Sequence, residues 1–264
     1  MSAPQTTDES PVKGTQAVER ALKILLSFDR STPELGISEL GRQLGLNPST
    51  VHRLVRALVA NGFLEQSERS ERYRLGLSAI ILGQTAQHTY GLGQAKRILE
   101  AIGADTGESV NLGIRELRDV VVLLRMESQQ ALRFEQEPGT RVPLHASSMG
   151  KAALAFCEDL DLELDRIFAR GPERFTDTTL VDREELVREL HEIRSRGYSV
   201  DNQESIPGVR CVGAPIVDSS GIARAAIAVQ APAVRMPLER VEQLGPSLRE
   251  AAQKIAQVMG FEDG

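Results

Sequence analysis

The chain has no tryptophan, and aromatic residues make up only 4% of it, so its cores must be packed from Leu, Val, Ile and Ala. Its two cysteines, Cys157 and Cys211, lie far apart without metal-like spacing, and nothing suggests a disulfide scaffold. The four histidines, His52, His88, His145 and His191, are scattered and lack the short spacings of a zinc site. No apolar run approaches the roughly 18–20 residues that a membrane span needs, so no membrane partner is expected. Residues 1–13 are rich in Ser, Thr and Pro and lack an apolar h-region, which reads as a disordered tail rather than a signal peptide. Cytoplasm is the expected compartment. The remainder is ordinary for a globular chain: 264 residues with 41% hydrophobic content, a length that suits two domains.

The most informative stretch runs from Ile37 to Leu54. Upstream of it, Val18, Ala21, Leu22, Leu25 and Leu26 recur at helical spacing and predict a helix over 16–28 that buries this stripe. Thr32 to Gly36 is a loop by composition. Ser38 can cap a second helix that turns Leu40 and Leu44 inward, and Gly45 stands where that helix must end in a left-handed residue. Asn47 followed by Pro48 starts a third helix, as a cap and a first-turn proline. Its core spacing is Val51, Leu54, Val55, Leu58 and Val59. On the outer face remain Ser49, Thr50, His52, Arg53 and Arg56, short polar groups at the helix start and longer donors beyond. Such groups can approach base edges and phosphates in a major groove. Phe63 to Gln66 and Arg72 to Leu75 predict a β-hairpin wing with Arg69, Arg72 and Arg74 available to a DNA backbone. The DNA-contacting set is therefore Ser38, Pro48, Ser49, Thr50, His52, Arg53, Arg56, Arg72 and Arg74. Residues 13–80 hold ten Lys and Arg against seven Asp and Glu, a balance of +3 on a chain of net −6. A basic head on an acidic body suits binding of double-stranded DNA through one end.

A helix from about Leu75 to Tyr90 follows, with Leu77, Ile80, Ile81 and Leu82 exposing more apolar surface than a lone helix should. A further amphipathic helix carries Leu92, Ala95, Ile98, Leu99 and Ile102 and stops at Thr106-Gly107. Strands are predicted at Val110–Ile114, at Val120–Leu124, and at Leu132–Glu135 before the turn Glu137-Pro138-Gly139. Helical spacing returns from Gly150 to Phe156, over Leu160–Ala169 and over Arg183–Arg196. Strands at Tyr198–Val200, Val209–Val217 and Ile222–Gln230 precede a closing helix from about Pro237 to Met259. The fold class is α+β with a mainly antiparallel sheet. In His145-Ala146-Ser147-Ser148-Met149-Gly150-Lys151, Ser147 or Ser148 can cap a helix, leaving the amides near Ser148, Met149 and Gly150 open to an anion. A plain helix cap is the alternative.

Three sets of segments resemble the IclR-type transcriptional regulators. They are Ala17–Leu25 with Ser49–Leu54, Gly62–Leu64 with Tyr73–Gly76, and Leu144–Ala152 with Arg196–Tyr198 and Gly208–Val212. The resemblance extends from about Gly14 to about Gly260. It implies a winged helix-turn-helix over 14–76, a linker and dimerisation helix over 77–91, and a GAF-like α/β effector-binding domain over 92–264. It further implies dimers that pair into tetramers, no cofactor, and a pocket for a small metabolite. In this resemblance the pocket is lined by His145, Ser147, Ser148, Met149 and Gly150 and completed by Asp201, Cys211, Ala228 and Gln230. Small hydroxyl side chains occupy the places of Ala228 and Gln230 in the best-understood members, so pocket position carries over better than ligand identity. With the amide seat, this composition suggests a small organic acid, a carboxylate with a second polar group facing Asp201.

An enzyme is the rival reading. Ser148-Met149-Gly150-Lys151 spells S-x-x-K, the nucleophile motif of penicillin-recognising serine enzymes, yet neither an S-D-N nor a K-T-G element follows. Gly150-Lys151 continues into Ala152 and makes no P-loop, and Gly91-Leu92-Gly93 lacks the third glycine of a dinucleotide site. A metal held by His145 and Cys211 stays open as a further alternative, although lone His and Cys residues more often pack or hydrogen-bond. The expectation is a ligand-responsive regulator and not an enzyme.

Overall fold

The computed structural model describes residues 15–29, 31–116 and 118–261, so the expected tail at 1–13 lies outside the described residues. The chain divides into two units, the first ending at Thr89 and the second beginning at Tyr90.

In the first unit α1 (Gln16–Leu25), α2 (Ile37–Leu44) and α3 (Pro48–Ala60) pack around Ile24, Leu40, Val51, Leu54 and Val55. Each fully buried aliphatic side chain of this kind contributes about 1.5–3 kcal/mol. Asn47 caps α3 by accepting from the Thr50 amide at 2.8 Å, and Pro48 occupies the first turn. Gly45 ends α2 in the left-handed conformation at φ 64°, which a side chain disfavours. The expected wing is an antiparallel pair, β1 (Leu64–Gln66) and β2 (Tyr73–Leu75). α4 (Leu77–Thr89) closes the unit without a buried residue.

Four expectations change here. The stripe Val18, Leu22 and Leu26 is exposed, because α1 turns Ala21, Ile24, Leu25 and Phe28 to the core instead. Both sets satisfy helical spacing, and only the position of α3 selects between them. Gly36, not Ser38, is the N-cap of α2; its amide donates to Glu39 Oε2 at 2.7 Å, a reach-back that needs no capping hydroxyl. The loop before α2 is partly ordered as sheet, since buried Leu35 exchanges two 2.9 Å backbone bonds with Tyr73. Val59 lies at the surface, one turn past the region where α3 is covered.

The second unit runs α5 (Leu92–Thr106), β3 (Ser109–Glu116), β4 (Asp119–Met126), β5 (Arg141–Pro143), α6 (Ser148–Ala155), α7 (Leu160–Phe168) and α8 (Arg183–Arg196). It continues with β6 (Ser199–Asn202), β7 (Val209–Val217), β8 (Ala223–Pro232), a 3₁₀ turn at Ala233–Arg235 and α9 (Leu238–Val258). The strands form one antiparallel sheet in the order β5-β4-β3-β8-β7-β6. Strand alternation divides its residues between two layers. Val110, Leu112, Val212, Ala214, Ile227 and Val229 pack with α5 and α9. Val120, Val122, Ala226 and Ala228 face α6, α7 and α8. The strand expected at Leu132–Glu135 does not form. Its alternating pattern is real, but β5 occupies the edge beside β4, and Leu132 is 64% exposed.

α6 starts in unusually close contact with β5. A Cβ on Gly150 would lie 2.1 Å from the Pro143 carbonyl oxygen and 2.6 Å from the Leu144 Cα, so only glycine permits this approach. Gly150→Ala is therefore expected to cost at least ~1–3 kcal/mol through overpacking. With no tryptophan to report unfolding, urea denaturation followed by far-UV circular dichroism measures it, and an unchanged midpoint would contradict this packing.

Candidate functional site

The first unit presents a polar face on α3. Pro48, Ser49, His52, Arg53 and Arg56 are exposed and Thr50 is half-buried, while Val51, Leu54 and Val55 fill the core. His52, Arg53 and Arg56 have no hydrogen-bond or ion-pair partner among the described residues. Ser38 is exposed at the start of α2. The wing arginines differ from one another. Arg74 pairs with Glu65 at 2.5 Å on the surface. Arg72 is half-buried and donates to Glu39 Oε2 at 2.7 Å and to the Glu34 carbonyl at 3.1 Å, tying the wing to α2. The Gly36 amide, and then Arg72, hold the Glu39 carboxyl below its ordinary range. Arg72 is thus already engaged within the protein, a role its sequence position did not reveal.

In the second unit a small cavity opens between the α6 start and the sheet. Ser147, Ser148 and Met149 line it with Asp201, Cys211, Ala228 and Gln230, seven of the nine residues expected to face an effector. Phe134, Gln136, Val142, Ser205 and Val209 complete the wall. The free space is only ≈ 10 Å³, about one water's worth. Register explains why these residues meet. Asp201 pairs with Cys211, Cys211 with Gln230, Gln230 with Ser109, and Ala228 with Asn111. Directly opposed residues share a face, so a polar stripe crosses the sheet where α6 covers it.

Ser147 is the α6 cap, accepting from the Gly150 amide at 3.0 Å. The Gly150 amide is therefore spent within the helix, and only those of Ser148 and Met149 are left unused by the cap. Gly150 and His145 do not line the cavity. His145 is buried, its Nε2 lies 2.8 Å from the Glu173 carbonyl, and its ring stacks on Phe175. Burial lowers its pKa, and among the described residues no group of three or more His, Cys, Asp or Glu is placed to hold a metal. Asp201 borders the cavity, and its carboxylate accepts three bonds from its own loop. Oδ1 accepts from the Glu204 and Ser205 amides at 2.7 and 3.2 Å, and Oδ2 accepts from the Ser205 hydroxyl. Three of its acceptor positions are thus used by its own loop. Burial raises the Asp201 carboxyl, and burial together with the Asp201 charge pushes the Cys211 thiol well up.

Behind this wall lies a pair that the sequence reading passed over. Lys151 is 1% exposed, and its Nζ donates to Glu204 Oε1 at 2.5 Å, with Glu189 at 3.8 Å. Its sequence signal was a lysine in a helix otherwise built of Ser, Met, Gly, Ala and Leu. Burial outweighs the ammonium and pushes the Glu204 carboxyl up to about 7.

A three-helix head with a wing and an exposed polar helix, followed by a sheet domain with a buried polar cavity, defines a DNA-binding regulator that responds to a small ligand. Residues 17–68 match the IclR helix-turn-helix domain, and residues 85–257 match the C-terminal domain of the bacterial transcriptional regulator IclR. The chain belongs to the IclR family. It is 38% identical to the HTH-type transcriptional regulator BhcR of Paracoccus denitrificans, over 92% of this chain and 87% of that one. It is 33% identical to the HTH-type transcriptional repressor AllR of Klebsiella pneumoniae, over 98% and 95%. Among solved structures, an IclR homologue from Microbacterium hydrocarbonoxydans complexed with 4-hydroxybenzoate is similar at a TM-score of 0.81 and 25% identity, covering 92% of this chain and 99% of that one.

The Lys151–Glu204 pair yields a test with a pH sign. Glu204 titrates higher folded than its ordinary 4.5, so the folded state holds a proton that the unfolded state has lost between about 4.5 and 7. Stability from this group is present below that window and is lost as pH rises through about 7. Lys151→Met leaves the carboxyl buried without its cation and should cost ~3–5 kcal/mol at pH 8. The loss should shrink at pH 5, where Glu204 carries its proton. Urea titrations at both pH values check this, and equal losses would contradict the assignment.

Proposed function

We propose that this chain binds a palindromic operator as a dimer, alone or paired into a tetramer, and that a small organic acid in the sheet cavity changes its DNA affinity. The observation that carries the DNA-binding half is the division of α3, with Val51, Leu54 and Val55 in the core and Ser49, His52, Arg53 and Arg56 facing out. In this reading α3 enters the major groove, Ser38 and Pro48 approach the backbone, and Arg74 on the wing contacts phosphate. Arg72 contributes mainly by fixing the wing. The exposed apolar residues Leu77, Ile80 and Ile81 of α4, with Val18 and Leu22 of α1, supply a surface for a second copy. The effector half is supported by Ser147, Ser148 and Gln230 around the cavity and by the acid bound to the similar solved protein. We read no catalysis in the S-x-x-K segment, because the Lys151 ammonium is sequestered by Glu204. A regulator of bacterial transcription works where the chromosome is, in the cytoplasm.

Arg53→Ala should weaken operator binding by ~1–3 kcal/mol and relax preference at one base pair if Arg53 reads a guanine. Arg74→Ala should weaken all sequences alike and flatten the salt dependence. Gel-shift titrations at two salt concentrations separate the two, and unchanged binding by Arg53→Ala removes α3 from the groove. Light scattering at micromolar concentration tests the assembly. A dimer or tetramer is expected, and a monomer would sink the paired half-site reading.

A further inference from the structure

Two polar atoms on one sheet face have no hydrogen-bond partner among the described residues: Asn111 Oδ1 and Gln230 Nε2. Asn111 is fully buried and Gln230 is 2% exposed. Gln230 lines the cavity, and Asn111 sits opposite the lining residue Ala228 in the β3–β8 ladder. Asn111 lies just behind the lining, and its Nδ2 donates to the lining residue Gln136 at Oε1, 2.9 Å away. Gln136 belongs to the segment between β4 and β5, which has no ladder partner over 127–137. Turning both amides over leaves an Asn111 atom unpaired all the same, a donor in place of an acceptor.

Buried polar groups in native proteins are nearly always paired, so an unpaired atom beside a cavity calls for a partner from outside. Asp201 already accepts three bonds, from the Glu204 and Ser205 amides and the Ser205 hydroxyl, whereas Asn111 Oδ1 accepts none among the described residues. We infer that Asn111 is the specificity-determining residue of the effector site. On binding, Gln136 gives way, a ligand hydroxyl donates to the unpaired Asn111 Oδ1, and the ligand's acid group meets Gln230 and Ser148. The ligand class is a small hydroxy-acid. A hydroxyl satisfies Asn111 in either orientation, as donor or as acceptor. A plain acid would leave that amide unpaired, which is how polar sites reject analogues lacking a hydroxyl. This inference rests on the reading of the cavity as an organic-acid site.

The test uses the full-length protein and calorimetry with three matched pairs: glycolate and acetate, lactate and propionate, 4-hydroxybenzoate and benzoate. In at least one pair the hydroxylated member should bind on the order of tenfold tighter or more. Asn111→Leu, close in size, should reduce that ratio to within about threefold while leaving the plain acid's affinity nearly unchanged. Gln136→Leu, in the irregular segment where folding is least at risk, should tighten the hydroxylated member several-fold by freeing Asn111. A ratio that survives Asn111→Leu overturns the inference. If Asn111→Leu does not fold, an unchanged affinity in Gln136→Leu overturns it. Acids that bind without hydroxyl preference in the unaltered protein overturn this inference and leave the organic-acid reading standing. Binding of no acid at all defeats that reading and this inference together.

Discussion

The contact between Lys151 and Glu204 holds the working end of the effector domain together. An ammonium buried to 1% exposure must be paired, and the partner lies on the loop between β6 and β7, 53 residues away. That loop forms one wall of the cavity. Glu204 anchors it from below, while Asp201 gathers the Glu204 and Ser205 amides around its carboxylate. The same α6 that supplies the lysine also supplies Ser148, whose carbonyl accepts from Ser199 at 2.6 Å. Helix, loop and strand are therefore positioned by specific polar contacts, where packing alone would allow sliding. Two carboxylates, Asp201 and Glu204, share the neighbourhood of one cation, and burial raises both. Any charged group that enters the cavity will alter this balance.

Much of this was legible in the sequence, for reasons that differ by element. The recognition helix was readable because its signals are local: Gly45, Asn47, Pro48 and the Val51–Leu54–Val55 spacing need no knowledge of the rest. α8 and β7 were readable because amphipathic period and β-branched content agree over their lengths. The buried face of α1 was read only in part: Ala21 and Leu25 of the expected stripe meet the core, while Ile24 takes the place that Val18, Leu22 and Leu26 could equally have filled by spacing. Leu132–Glu135 alternates like a strand but lost the edge of β4 to Arg141–Pro143. Most residues that the IclR resemblance grouped as a pocket meet at one cavity, whereas the contacts of Asn111, Gln136, Lys151 and Glu204 had no such pointer. Their roles depend on pairings 25 and 53 residues apart. A polar residue alone between Val110 and Leu112 was the signal available for Asn111.

The two faces of the sheet show how function is placed at the expense of stability. On the α5–α9 side, β3, β7 and β8 contribute Val110, Leu112, Ala214, Ile227 and Val229 to an apolar layer. On the α6 side the same strands contribute Ser109, Asn111, Cys211 and Gln230. An unpaired buried polar atom costs about 1–3 kcal/mol, and this face carries two of them. A sheet selected only for stability would have the same residues on both sides. The asymmetry follows from the period of two: one strand can serve a core with its odd residues and a ligand with its even ones.

That division also decides which wall can yield. With ≈ 10 Å³ of free space, about enough for one water, the cavity cannot take a molecule of several heavy atoms as it stands. The α6 wall is fixed by the close approach of Gly150 to Pro143 and by a buried ion pair whose rupture costs ~3–5 kcal/mol. The segment carrying Phe134 and Gln136 is held differently. Arg125, itself 5% exposed, reaches Glu127, Glu135 and Glu137, carboxylates that are 39–58% exposed. In the proposed mode of binding it is this segment, which has no ladder bonds over 127–137, that yields to a ligand. A ligand that binds only after such a displacement prefers one conformation of the domain over the other. That preference is the differential affinity without which no effector can shift the equilibrium governing DNA binding.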